Sequence, residues 1–169
     1  MDDVLKRAVV FARLAHNGQM RRGGVEPYIR HSLRTMSRLW KSGYGCELDV
    51  LVVAVLHDVV EDTSYGFEDC YQFIKSEEGK EALRLVTKME GESSAEALDR
   101  LIQSGNRIAL LVKASDALDN SYMDEDGRKF TSEVLGLDPD AETAKYVKKA
   151  QACLDVLGLS VVDLPKPGV

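Results

Sequence analysis

The segment LVVAVLHDVVEDT, residues 51 to 63, constrains the fold more than any other part of the chain. Six apolar residues lead without a break into His57 and Asp58, two more follow, and then come Glu61 and Asp62. An ionised carboxylate loses much of its solvation energy in an apolar interior, so it must be paired, protonated or bound to a cation. The segment therefore predicts a central buried helix whose polar end has a partner elsewhere in the chain.

The rest of the sequence predicts an all-α fold, a helical bundle that forms a single domain over residues 1 to 169. The chain has 169 residues, 44% of them hydrophobic, which suffices for one core. No stretch alternates polar and apolar residues with the period of a strand. Besides residues 51 to 63, the predicted helices are DDVLKRAVVFARLAH, PYIRHSLRTMSRLWKSG, FEDCYQFIKS, EGKEALRLVTK, SAEALDRLIQS, NRIALLVKASDALDNSYM and PDAETAKYVKKAQACLDVLG.

Charge and composition exclude several classes of protein. A net charge of −6 argues against a general nucleic-acid binder, which needs a basic face, but it allows a small anionic substrate in a local basic pocket. No apolar run reaches the roughly 18–20 residues that span a bilayer, and the N-terminus is acidic where a secretory signal would be basic. Three isolated cysteines, Cys46, Cys70 and Cys153, are typical of a reducing compartment. We therefore expect a cytoplasmic protein with no membrane partner.

Four polar residues cluster at the end of the predicted central helix. Residues four apart share a helix face, which pairs His57 with Glu61 and Asp58 with Asp62. A lone buried histidine is usually a hydrogen-bonded core residue, and a lone aspartate can pair with an arginine. An adjacent His-Asp pair with two more carboxylates one turn later favours a metal site instead.

Two further apolar helices carry a similar anomaly. His31 lies in YIRHSL and Asp116 lies in LLVKASDALDN. Together with His57 and Asp58, they give two histidines and two aspartates from three helices, a set that can bind one divalent cation and leave positions for water or substrate oxygens. Mixed nitrogen and oxygen ligands suit Mn²⁺, Fe²⁺ or Zn²⁺, whereas Ca²⁺ and Mg²⁺ prefer oxygen alone.

Three sequence blocks, in order, carry a family resemblance. AHNGQMRRGGVEPYIRH, LHDVVEDT and LVKASDALDN resemble motifs of the HD-domain metal-dependent phosphohydrolases. More narrowly, they are similar to the hydrolase domain of RelA/SpoT-type alarmone enzymes and to the small stand-alone alarmone hydrolases. The resemblance implies hydrolysis of guanosine tetraphosphate or pentaphosphate at the 3′-diphosphate, yielding pyrophosphate and GDP or GTP. Because the chain is too short for synthetase and regulatory domains, we expect a single-domain hydrolase.

The resemblance also implies a role for individual residues. It makes His31, His57, Asp58 and Asp116 the ligands of one divalent transition metal, most simply Mn²⁺. It makes Glu61 and Asp62 the acid–base pair beside the attacking water. It places Arg21 and Arg22 on substrate phosphates, and Tyr28, Asn120 and Tyr146 near the nucleotide.

The chain departs from the family pattern at two points, which leaves the substrate open. Relatives commonly have an arginine within two residues after Asn120, where this chain has NSYM, and Glu142 lies close to another arginine position. One alternative is a phosphatase for another nucleotide, such as the 2′-phosphate of NADPH or a nucleoside monophosphate. The other is a non-catalytic nucleotide sensor, against which the Glu61–Asp62 pair argues because binding alone does not need it. The oligomeric state is left open.

Overall fold

The computed structural model describes residues 2 to 21, 23 to 24, 26 to 122 and 128 to 164. These residues are helical and contain no strand, only one antiparallel bridge between Met20 and Pro27, so the predicted all-α fold is confirmed. None of the helices in these ranges is long and apolar enough to cross a membrane. The helices are α1 (Asp3–Ala15), α2 (Ile29–Lys41), α3 (Leu48–Leu56), α4 (Val59–Asp62), α5 (Phe67–Tyr71), α6 (Glu77–Val86), α7 (Ser94–Ser104), α8 (Arg107–Asn120) and α9 (Pro139–Val156).

Helix α3 is the centre of the bundle. Its residues from Val50 to Leu56 are all buried, and it packs against α1, α2, α6 and α8. A helix that is apolar on every face must be surrounded by other elements. Each fully buried valine or leucine contributes about 1.5–3 kcal/mol of transfer free energy, so α3 anchors the core. Helix α8 is nearly as buried and packs mainly against α9 and α2.

Local capping signals set where α8 begins. A capping box formed by Ser93 and Glu96 begins α7, and Gly105, with a positive φ of 64°, ends it. The Asn106 side chain then accepts a hydrogen bond from the Ala109 N–H at 3.0 Å and begins α8. These caps fix where α7 ends and where α8 begins.

The structure divides the predicted central helix at His57 and Asp58. Helix α3 ends at Leu56 and α4 begins at Val59, so the prediction of one continuous helix is wrong at these two residues. Asp58 has φ −99° and ψ −4°, in the sparsely populated bridge region where many active-site residues lie. At this break the side chains of His57 and Asp58 lie together, with His57 Nε2 3.1 Å from Asp58 Oδ2.

Candidate metal centre and active-site cleft

The four residues predicted as metal ligands, His31, His57, Asp58 and Asp116, lie together and are called the metal group below. His31 Nε2 is 3.2 Å from Asp116 Oδ1 and 3.5 Å from Asp58 Oδ2. His57 Nε2 is 3.1 Å from Asp58 Oδ2 and 3.8 Å from Asp116 Oδ1. His31, His57 and Asp58 each offer one ligand atom within 4.8 Å of the others. The arrangement joins the first turn of α2, the break between α3 and α4, and the middle of α8.

Hydrogen bonds behind the two histidines fix which ring nitrogen faces this group. His57 Nδ1 donates to the Ala54 carbonyl at 2.8 Å, and His31 Nδ1 donates to Asp119 Oδ2 at 2.7 Å. Since both acceptors lack a hydrogen, each Nδ1 carries the proton, and a neutral ring presents the lone pair of Nε2 to the carboxylates. His57 Nε2 is buried and has no hydrogen-bond partner among the described residues. In their neutral form, the Nε2 lone pairs of the two histidines face carboxylate oxygens, and this arrangement can hold a cation between them.

Without a metal, protonated histidines and Lys113 balance the negative charges of Asp58 and Asp116. Burial alone would lower the pKa of His57, but the Asp58 and Asp116 carboxylates outweigh it and raise that pKa to about 10. The pKa of His31 is also raised against burial, by hydrogen bonds with carboxylates. Burial would raise the pKa of Asp116, yet Lys113 and the two histidines hold it well below its ordinary value. A divalent cation can therefore replace protons on two imidazoles.

Tyr28 contacts the centre directly. Its hydroxyl donates to Asp58 Oδ2 at 2.8 Å, and its ring stacks on His16 with centroids 4.9 Å apart. Burial and the nearby Asp58 charge raise the pKa of Tyr28, so the hydroxyl stays protonated and remains a donor. The sequence predicted Tyr28 near the nucleotide, whereas its observed bond is to a carboxylate of the metal group.

Glu61 and Asp62 lie on α4 and line a cleft of about 1140 Å³ that opens from the metal group. Both residues are exposed. Glu61 Oε2 accepts a hydrogen bond from the Lys88 backbone N–H at 3.0 Å, and the Asp62 carbonyl accepts one from the Gln19 side chain at 2.7 Å. The predicted acid–base pair thus has solvent access, and the Glu61 carboxylate and the Asp62 backbone are each held by one hydrogen bond.

The predicted nucleotide contacts also line this cleft. Arg21 Nη2 donates to Asn120 Oδ1 at 2.9 Å, and Asn120 Nδ2 donates to Asp116 Oδ1 at 2.6 Å. Tyr28 and Tyr146 also line the cleft. Arg22 lies outside the described residues. A chain of hydrogen bonds therefore links Arg21, in the glycine-rich loop of residues 17 to 26 (NGQMRRGGVE), to Asp116, a predicted metal ligand.

Sequence reasoning missed two lysines of the cleft, Lys113 and Lys149. Lys113 Nζ is 2.9 Å from Asp116 Oδ2. Burial and the Lys113 charge lower the pKa of Lys149. Helical spacing was an available signal for both, because Lys113 precedes Asp116 by three residues and Lys149 follows Tyr146 by three. Asp119, behind His31, was also missed and has the same spacing from Asp116.

The two departures from the family pattern have different structural settings. Glu142 pairs with Lys145 on α9 at 3.2 Å and is not among the described residues that line the cleft. Tyr122 does line it, on the stretch that follows Asn120. This chain lacks two arginines of the family pattern, which suggested too little positive charge for a substrate with several phosphates. Lys149 and Lys113 supply positive charge to the cleft instead.

The chain is similar to several known proteins. No family model matches the chain. It is 31% identical over 145 residues to the guanosine-3′,5′-bis(diphosphate) 3′-pyrophosphohydrolase of Aquifex aeolicus, which covers 78% of this chain and 20% of that protein. It is 32% identical over 117 residues to the Drosophila melanogaster enzyme of the same name, MESH1, covering 65% of this chain and 63% of that one.

A solved structure extends the comparison to nearly the whole chain. It is described as a metazoan orthologue of SpoT that hydrolyses ppGpp and plays a role in starvation responses. The match has a TM-score of 0.66 and 26% sequence identity, and it covers 93% of this chain and 86% of that one. The predicted resemblance to the stand-alone HD-type ppGpp hydrolases is confirmed. The chain spans about a fifth of the length of the Aquifex relative.

Proposed function

We propose that the chain is a metal-dependent phosphohydrolase that removes the 3′-diphosphate of guanosine 3′,5′-bis(diphosphate). Pyrophosphate leaves, and GDP remains, or GTP when the substrate is the pentaphosphate. The observation that carries the proposal is the group of His31, His57, Asp58 and Asp116 at the base of a cleft with lysines and arginines in its walls. The names of the similar proteins supply the substrate.

We infer that this group holds one divalent transition metal, with Mn²⁺ as the first choice and Fe²⁺ or Zn²⁺ as alternatives. Two imidazole nitrogens and two carboxylates suit these ions better than Mg²⁺ or Ca²⁺. Support comes from the two Nε2 atoms, whose lone pairs face carboxylate oxygens at 3.1–3.8 Å. A bound metal lowers the pKa of a coordinated water and polarises a phosphoryl oxygen.

The acid–base work falls to Glu61 and Asp62. Glu61 is held through Oε2 by the Lys88 N–H, and its other oxygen takes the proton of the attacking water. That proton passes to Asp62, beside Glu61 on α4, and from Asp62 to the leaving ester oxygen. Both side chains are exposed in the cleft, which suits groups that must exchange protons with substrate and solvent.

Arg21 and Arg22 bind the substrate phosphates. The Arg21 guanidinium is positioned by the Asn120 side chain at 2.9 Å and lies 5.7 Å from the centre of the Tyr28 ring. A guanidinium fork matches two phosphate oxygens at once. Asn120 and Tyr146 complete the nucleotide contacts. Tyr28 keeps the Asp58 carboxylate in place through its hydroxyl.

The remaining cations favour a substrate with several phosphates. Lys149 is half-buried in the cleft and forms no ion pair within the described part of the chain. An unpaired, partly desolvated ammonium gains most from an anionic ligand. With Lys88 and Lys113 in the same walls, the cleft suits a nucleotide bearing two diphosphates better than a monophosphate.

A nucleotide panel tests the proposal. The purified protein, loaded with Mn²⁺, is given guanosine tetraphosphate, guanosine pentaphosphate, NADPH and GMP, and released pyrophosphate and phosphate are measured separately. We expect pyrophosphate from the first two and nothing from the others. Phosphate released from NADPH or GMP would identify a different nucleotide phosphatase, and tight binding without any release would identify a sensor. A Glu61→Gln protein is the control for contaminating activity.

The wider setting is part of the same proposal. We place the single hydrolase domain over residues 1 to 169, with a small nucleotide as its partner rather than nucleic acid or a membrane. The net charge of −6 supports this choice. A cytoplasmic location fits three cysteines that are all free.

A further inference from the structure

The Asp119 carboxylate lies directly behind His31. Its Oδ2 accepts the Nδ1 hydrogen of His31 at 2.7 Å, on the side of the ring opposite the metal group. Asp119 is 3% exposed, and His31 is 1% exposed. His57 has only the neutral Ala54 carbonyl in the corresponding position. The two histidines of one centre therefore have supports of different charge.

Arg34 fixes the orientation of the Asp119 carboxylate. Its Nε donates to Oδ1 at 2.7 Å and its Nη2 donates to Oδ2 at 3.0 Å, so two parallel bonds define the plane of the carboxylate. The third nitrogen of Arg34, Nη1, pairs with Glu26 at the end of the glycine-rich loop. Arg34 thus holds both oxygens of Asp119, including the Oδ2 atom that also accepts the His31 hydrogen.

We propose that Asp119, oriented by Arg34, is a positioning residue that fixes the tautomer and the ring orientation of His31 and strengthens its Nε2 as a metal ligand. The inference rests on the metal site of the proposed function. A carboxylate that accepts the Nδ1 hydrogen makes the other nitrogen more basic, and such partners typically contribute a factor of about 10–100 to metal affinity. Asp119 reaches the metal only through His31.

A purely structural role is the rival explanation, because the Arg34–Asp119 pair also joins α2 to α8. Removing one partner of a buried ion pair costs stability whether or not a metal is involved, while the pair itself contributes little compared with apolar packing. Stability alone therefore does not separate the two roles. Metal affinity and the protection of the His31 Nδ1 hydrogen from solvent exchange do.

Two substitutions of Asp119 should weaken metal binding to different degrees. Asp119→Asn keeps the shape and an oxygen that accepts the Nδ1 hydrogen, but removes the charge. Asp119→Ala removes both. We expect Mn²⁺ affinity, measured by competition with a chelator on folded protein, to fall about 10–100-fold in Asp119→Ala and by a smaller factor in Asp119→Asn. Glu47→Gln is the matched control, because the Glu47 carboxylate accepts a comparable pair of hydrogen bonds from Arg107, at 2.6 and 2.9 Å, outside the cleft.

The second readout does not depend on activity or on stability. In Zn²⁺-loaded protein with ¹⁵N-labelled histidine, we expect an Nδ1–H signal of His31 that is protected from solvent exchange in the wild type and in Asp119→Asn, and that is lost through exchange in Asp119→Ala. Affinities within twofold of the wild type in both Asp119 variants would overturn the inference, and so would a loss no larger than that of Glu47→Gln. A wild type that binds no divalent metal would overturn the proposed function as well.

Discussion

The metal group and the phosphate-binding walls of the cleft are built in opposite ways. In the metal group the side chains of His31 and His57 are each 1% exposed, and each ligand has a fixed partner on its outer side. In the walls, Glu61 and Asp62 are exposed and Lys149 is half-buried without an ion pair among the described residues. The difference teaches that ligand geometry is set by folding, whereas most phosphate contacts must form when substrate binds.

The largest expected effect is the loss of metal. His57→Ala or Asp58→Ala removes one ligand from the proposed set, so metal content should fall to background in elemental analysis. Glu68→Gln, an exposed carboxylate change outside the cleft, is the control and should keep the full content. A folded His57→Ala protein with one metal per chain would remove His57 from the ligand set.

The next effect tests the boundary between the two regions. Glu61→Gln keeps an oxygen for the Lys88 N–H but loses the base, so metal content should stay at the wild-type value while turnover slows by about 10²–10⁴. Single-turnover kinetics and elemental analysis of the same sample measure both. Loss of metal in this variant would move Glu61 into the metal group and contradict its assignment to the wall.

The arginines should affect binding more than chemistry. Changing Arg21 and Arg22 together to alanine removes charge-assisted hydrogen bonds worth about 1.5–3 kcal/mol each, which raises KM for guanosine tetraphosphate by at least roughly a hundredfold. Metal content and thermal stability should hardly change. The loss should be large for a nucleotide with two diphosphates and small for a monophosphate. Equal, minor losses on both would assign these arginines to solvated surface.

Lys149 should give a smaller effect in the same direction. Lys149→Met removes one ammonium and keeps the length of the side chain, so KM for guanosine tetraphosphate should rise about tenfold. Because the charge is partly buried and unpaired in the described structure, stability should stay level or rise. Lys145→Met, on an exposed turn of α9, is the comparison variant. An unchanged KM in Lys149→Met would leave the missing arginines of the family pattern without a replacement.

The smallest effect concerns an ion pair remote from both regions. Arg107 holds the pKa of the Glu47 carboxyl below its ordinary value. Its contribution to stability is therefore complete above the unfolded-state pKa and is lost as the pH falls through the lower, folded-state pKa. Both side chains are more than two-fifths exposed, so Glu47→Gln should cost no more than about 1 kcal/mol at neutral pH. Urea unfolding of both proteins at neutral and acidic pH should show this difference shrinking towards zero.

The buried half of the site could be predicted from the sequence because burial makes a polar residue conspicuous. His31, His57, Asp58 and Asp116 interrupt apolar helices, and helix α7 was predicted over the residues it occupies, Ser94–Ser104. The break after Leu56 could not be predicted, since the run contains neither proline nor glycine. Asp119 was missed because its partners, His31 and Arg34, lie 88 and 85 residues away. Lys149 was missed although it follows Tyr146 by three residues, because its place in the cleft also depends on the packing of α9 against α8.

The hydrogen bond from His57 to the Ala54 carbonyl has a consequence for how this site can change over generations. Helix α3 ends at Leu56, and the carbonyls of a last helical turn have no donor within the helix. A backbone oxygen of the same turn thus sets the tautomer of His57, and no point mutation can delete a backbone oxygen. The tautomer of His31 depends on one side chain, Asp119. We therefore expect sequence drift to alter the Asp119 support of His31 first. The Ala54 carbonyl that supports His57 should stay in place as long as helix α3 persists.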